Sequence, residues 1–317
     1  DASFTVDGSV VMDATNTNDA ELGLKITEFE APDITTSNGE VDVLGSYAVT
    51  ITGDFVMLGA GAENTLMLYE GVTINGDIIM GEVSGDTVSA ANYLEVVSVG
   101  SLNTTDVTMI AEDNDLILGG SGTITSSLSL FGGDNYLLIG EDVDVQSIVA
   151  IGGVYDADQI GTEGYQIVEN TTNTIIVYGS IMGIDTTMDL GTPLDFVSTA
   201  DDDIQILPGG TVSPNGIITG NGNDSVDIQG GLVEGGVSMG NTTFGDAVGT
   251  NTLTLASVNV DDDPLLSLEA DIVGDVSMES DTLNTLNIAG AVLTDETLTE
   301  TEMRATIDGD VYMAALQ

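Results

Sequence analysis

Cysteine, histidine and tryptophan are absent from this chain of 317 residues, and lysine and arginine together number 2. Without Cys and His there can be no tetrahedral zinc site of those ligands, no disulfide, no thiol nucleophile and no Ser-His-Asp triad. Lys25 and Arg304 stand against 53 acidic residues, giving a formal charge of −51. Nucleic acid, which is bound by cations that displace counterions from phosphate, is therefore excluded as a partner. An anionic membrane surface repels the chain for the same reason. There is no apolar run long enough for a transmembrane helix. With 5 prolines there is no proline-rich linker either, so residues 1–317 read as one continuous domain. Asp1 is preceded by no charged and apolar leader, and the expectation is an exported protein whose signal peptide has been removed. The lack of cysteine fits export from a bacterial or archaeal cell. The chemistry left open is that of carboxylates, hard cations and pure structure.

What the chain does contain argues against disorder. Hydrophobic residues make up 42% and the mean hydropathy is +0.23, whereas disordered acidic chains are poor in aliphatic side chains. Aromatics are only 4%, so the core must be aliphatic, and 40 glycines mark frequent tight turns. The surface is nearly a polyanion. Its self-repulsion requires counterions, which high salt or a calcium-bearing cell exterior supplies.

Helical periodicity is scarce, and short β-branched runs such as residues 175–177 and 253–255 are punctuated by Gly, Asn and Asp. Two units recur. The first is Gly, a small or acidic residue, an apolar one, any residue, then Met. It ends at Met12, Met57, Met80, Met239, Met278 and Met313, which are six of the 11 methionines. The second is Asn or Asp, any, aliphatic, any, aliphatic, starting at Asn64, Asn114, Asn135, Asn173, Asp202, Asp224, Asn251 and Asn284. Its gaps are 50, 21, 38, 29, 22, 27 and 33 residues, with a recurring floor of 21–22. A period of that size fits one coil of a parallel β-helix, with two or three short strands per coil. Leucine-rich repeats would need a leucine framework, propeller blades about twice the length, and an immunoglobulin-like array alternating strands around a buried aromatic. The expected fold is therefore all-β, an irregular parallel β-solenoid with coils of about 22 residues. Inward slots would stack Val, Ile, Leu and Met, and Asx residues would form ladders. About a dozen coils at the interstrand spacing give a rod on the order of 60 Å.

Residues 213–239, with Gly220-Asn221-Gly222-Asn223-Asp224-Ser225-Val226-Asp227-Ile228 followed by Gly230-Gly231, resemble the passenger domains of bacterial autotransporters and large glycine-rich surface adhesins. Residues 274–290 are similar in style. The resemblance implies a secreted or surface-held β-solenoid.

Several acidic clusters are candidates for Ca²⁺. Residues 220–226 match most of the calcium-binding nonapeptide G-G-x-G-x-D-x-U-x, with Asp224 at the ligand position, but such sites need consecutive repeats. The competing reading makes Asp224 the Asx corner of an ordinary coil. Asp201-Asp202-Asp203 and Asp261-Asp262-Asp263 read as carboxylate runs in turns, where a shared Ca²⁺ would relieve repulsion or water would simply solvate each loop. The candidate metal ligands are thus Asp201, Asp202, Asp203, Asp224, Asp261, Asp262 and Asp263, with Ca²⁺ as a structural ion and no catalytic residue. A β-helix that binds or cleaves carbohydrate is the alternative, since paired carboxylates suffice for glycoside hydrolysis. Against it, the chain lacks Trp platforms for sugars and a nearby Lys or Arg base. Surface glycans remain possible partners. The principal expected partner is the chain itself. Thr5-Val6-Asp7-Gly8-Ser9-Val10-Val11-Met12 and Thr306-Ile307-Asp308-Gly309-Asp310-Val311-Tyr312-Met313 are the same repeat unit. Head-to-tail stacking of terminal coils would give a filament, lattice or adhesin stalk at the cell surface.

Overall fold

The computed structural model describes short strands between residues 3 and 50. Beyond them it describes residues 51–152 with brief breaks, 172–187, 200–240, 249–259, 267–289 and 305–315. Among the described residues every regular element is a β-strand. The chain winds as a parallel β-solenoid with three faces per coil, the fold that the repeat units predict.

On the first face, Ser3–Val6 pairs with Ala48–Ile51 and that strand with Val72–Ile74. The same place in later coils is taken by Ser121–Ile124, residues 142–145, residues 180–181, Thr211–Val212, Leu232–Glu234, Ala270–Val273 and Ala305–Asp308. The second face runs from Val10–Asp13 through Phe55–Leu58 and Ile78–Met80 to Val237–Met239, Val276–Ser280 and Val311–Ala315. The third runs from Leu24–Ile26 through Glu40–Val43, Glu63–Leu68 and every later coil to Thr250–Ala256 and Leu283–Ala289. Most strands are short because a coil must turn three corners, while Asp106–Leu118 and Ser127–Ile139 run on from the second face to the third. Parallel pairing comes from each strand meeting its own equivalent one coil on.

Alternation along a strand sends every second side chain inward, where it stacks on its equivalent. Met57, Met80 and Met109 share one column in register, and Met239, Met278 and Met313 share its continuation. Met57, Met80, Met109, Met239 and Met278 are 0% exposed. Burying a side chain of this size contributes about 1.5–3 kcal/mol. On the third face Leu66, Leu94, Leu116, Leu137, Ile175, Ile204, Val226 and Leu253 form a second column, all fully buried.

The Gly-Asp corners explain part of the acidity. A Cβ on Gly76 would lie 2.5 Å from the Gly53 carbonyl carbon, and one on Gly309 would lie 2.1 Å from the Gly274 oxygen. Backbone stacks directly on backbone there, and only glycine fits. The following aspartate then accepts an amide from the next coil. Asp77 N–H donates to Asp54 Oδ1 at 3.1 Å, Asp106 N–H to Asp77 Oδ1 at 3.2 Å, and Asp310 N–H to Asp275 Oδ1 at 2.9 Å. These carboxylates join successive coils.

Candidate functional site: an asparagine ladder with an acidic pair

The second repeat unit begins at an inward position at the start of the third face. Its first residues form one vertical file: Asn64, Asn92, Asn114, Asn135, Asn173, Asp202, Asp224, Asn251 and Asn284. Buried amides must find partners, and these find each other. Nδ2 of Asn64 donates to Oδ1 of Asn92 at 2.8 Å, Asn92 to Asn114 at 3.0 Å, Asn114 to Asn135 at 2.9 Å and Asn135 to Asn173 at 2.9 Å. Asn173 then donates to Asp202 Oδ1 at 2.7 Å, and above the acidic pair Asn251 donates to Asn284 at 3.1 Å. Every one of these bonds points the same way along the rod. At several rungs the second amide hydrogen reaches a backbone carbonyl, as from Asn92 to Met80 O, Asn114 to Phe131 O and Asn251 to Glu279 O.

Asp202 and Asp224 interrupt this file with two consecutive carboxyls, each 2% exposed. Their surroundings change with them. The inward position that precedes each asparagine rung on the second face holds Met57, Met80, Met109, Leu130, Ile151, Met239 or Met278, all buried and apolar. Before the two aspartates it holds Thr186 and Thr219, both 0% exposed. Thr186 Oγ1 donates to Asp202 Oδ2 at 2.5 Å and Thr219 Oγ1 to Asp224 Oδ2 at 2.6 Å. Asp202 N–H donates to Asp224 Oδ1 at 3.3 Å. Burial pushes both carboxyls up, and the charge of each neighbour adds to it, Asp202 raising Asp224 and Asp201 raising both. The Thr and Asn173 donors pull the other way and lose to desolvation.

The expectation of a turn at Asp201-Asp202-Asp203 is corrected by the structure. These residues open the strand Asp201–Ile206, so their side chains alternate and do not converge on one cation. Asp201 and Asp203 face outward. Asp201 Oδ1 accepts Asn223 N–H at 2.7 Å and Asn223 Nδ2 at 3.0 Å, and Asp203 Oδ2 accepts Gln205 Nε2 at 3.2 Å. Asp224, the ligand position of the nonapeptide match, points into the core as a ladder rung. Asp261, Asp262 and Asp263 lie outside the described residues. Among the described residues no group of three or more acidic side chains is placed to hold a metal. Asn92 is the rung that the repeat pattern passes over. Asn92-Tyr93-Leu94-Glu95-Val96 fits the second unit and divides the gap of 50 residues into two ordinary coils. Thr186 and Thr219 carried no signal of their own.

The fold places the chain in the class of parallel β-solenoids. No protein-family model matches it, and neither does any curated protein or solved structure.

Proposed function

We propose that the protein is an extracellular structural β-solenoid, a subunit of a cell-surface filament, lattice or adhesin stalk that extends by stacking coil on coil. One observation carries this reading. The last described coil keeps full register, yet its inward columns are open. Ile288 is 54% exposed, Val311 43% and Met313 46%, while Leu255, Val276 and Met278 directly below them are 0% exposed. Apolar slots left exposed in register by residues 283–315 are a template for a further coil. A second copy supplies one through its N-terminal repeat, in which Val10 and Met12 hold the column positions of Val311 and Met313. The polyanionic sides keep rods apart laterally, so contact at the ends is favoured. Ca²⁺ acts in this reading as a structural counterion on Asp261–Asp263. The glycan-binding alternative draws on no comparable feature.

The test is electron microscopy and sedimentation of the 317-residue chain in Ca²⁺-containing buffer, compared with a chain lacking residues 1–12. Filaments in the first and folded protomers in the second support the reading. Monomers in both, at every concentration and ion condition, refute it.

A further inference from the structure

The two aspartate rungs fall in the middle of an amide ladder, and hydrogen-bond arithmetic identifies what they require. An asparagine rung both accepts from the coil below and donates to the coil above. An ionised aspartate only accepts. With both carboxyls ionised, the Asp202 side chain has no hydrogen to offer Asp224, whose Oδ1 is met instead by the Asp202 backbone N–H, and two like charges sit on adjacent coils inside an apolar core. Thr186 Oγ1 lies 2.5 Å from Asp202 Oδ2 and 3.4 Å from Ile218 O, two acceptors for one hydroxyl hydrogen. Ile218 O already accepts the Thr186 N–H at 3.0 Å, so it is the burial of two adjacent carboxyls that calls for a proton on Asp202 Oδ2. The carboxyl donates to Thr186 Oγ1, and the Thr186 hydrogen turns to Ile218 O. The threonines occur only at these two coils of the column, where a hydroxyl can serve either protonation state and a methionine can serve neither.

We infer that the Asp202–Asp224 pair is a proton-operated joint in the rod. Holding a proton taken from solvent, it bonds through Thr186 to Ile218 O on the next coil and locks coil to coil. Losing it, the pair places unlike demands on one ladder and loosens the contact between the strands Asp201–Ile206 and Asp224–Gln229. The groups facing the pair are few. Asn173 comes from the coil below, Thr186, Thr219 and the Gly220 amide from the adjoining corners, and Asn251 from the coil above. None of these is ionisable. Asp201, on the same strand, is the one further charge that bears on both members, and it opposes their ionisation. Asp185, Asp203 and Asp227 occupy outward positions. The raised proton affinity fits this geometry. A carboxyl that binds its proton more tightly when folded contributes stability below the ordinary carboxylate range and loses it as pH rises.

The experiment is urea unfolding at pH 5.5 and 8.5 in 1 M NaCl, where surface charges are screened to within about 3 Å. Wild type, D202N/D224N and the outward control D201N/D203N are compared. The folding equilibrium constant of wild type is expected to fall at least ~10-fold at the higher pH, one pKa unit of difference being a factor of about ten. The control retains most of that loss. In D202N/D224N, which restores an unbroken amide file, the loss disappears. An equal loss in D202N/D224N, or no loss in wild type, overturns the inference. So does failure of D202N/D224N to fold at both pH values, because the neutral form is then not what the rungs accept. D224N alone is expected to lose at least half of the wild-type pH dependence, and an unchanged dependence in it counts equally against the joint.

Discussion

Two stretches of the rod use one backbone and different interiors. In the coils of Asn92, Asn114 and Asn135, an amide file is flanked by Met80, Met109 and Leu130, and no group in it changes charge. In the coils of Asp202 and Asp224 the same positions hold carboxyls flanked by Thr186 and Thr219. The register is the same in both, so parallel stacking tolerates either chemistry, and what differs is how each responds to its surroundings. The amide stretch draws its cohesion from packing and fixed hydrogen bonds. The acidic stretch adds a dependence on proton supply. A third environment, the coil of residues 305–315, repeats the methionine column with Met313 half-exposed.

The comparison is sharpest for the methionine column. Met278→Ala leaves a void in a fully buried slot and is expected to cost about 2–5 kcal/mol in urea unfolding. Met313→Ala, one coil on and 46% exposed, should cost under about 1 kcal/mol in the dilute protomer. Equal costs would show that the end coil is covered in the unassembled protein.

Next in size is the amide file. Asn114→Ala leaves the Asn92 donor, the Phe131 carbonyl and the Asn135 acceptor without this partner, and roughly 1–3 kcal/mol should be lost at every pH. By contrast, Asp202→Asn should stabilise at pH 8.5 by about 1 kcal/mol or more relative to its effect near pH ~3.5, where the wild-type carboxyl is largely protonated in the folded and the unfolded chain alike. A pH-dependent cost at Asn114, or a pH-independent gain at Asp202, would erase the distinction between the two stretches. The smallest expected effect is ionic. At low salt, Ca²⁺ at millimolar levels should raise the melting temperature more than NaCl of equal ionic strength, and a chelator should reverse it. If the chelator changes nothing, calcium is only one screening ion among others.

Much of this was legible in the chain itself. Eight of the file's members were marked by the Asx-x-aliphatic-x-aliphatic unit, because a ladder position admits only a residue that donates and accepts in the core. Asn92 escaped because it lies inside the long strand Thr87–Val96, after a tight antiparallel turn, with no glycine near it. Met109 escaped for a similar reason, since Asp106 there follows Thr105 instead of a glycine. The run at Asp201–Asp203 misled because three like residues hide the alternation of a strand, which is visible only when neighbouring positions differ in polarity. The link between the aspartates and Thr186 and Thr219 was not legible at all. It joins residues 16 and 5 positions apart through a corner, and only the coil geometry brings them together.

As interior rungs of one ladder, Asp202 and Asp224 form a pair that holds a proton between them, and this is what the joint requires. It is tested most directly by following aspartate carboxyl ¹³C signals of the intact protein from pH 4 to pH 9. Burial, with the charge of Asp201 beside both and of Asp202 beside Asp224, raises Asp202 to about 7 and Asp224 to about 8, and two coupled carboxyls titrate as a pair. The prediction is two carboxyl signals that titrate in the neutral range, each responding to both steps, and both absent from D202N/D224N. If every aspartate carboxyl has finished titrating by about pH 5, close to the ordinary range for this group, the two side chains are not buried together and the ladder as described is wrong.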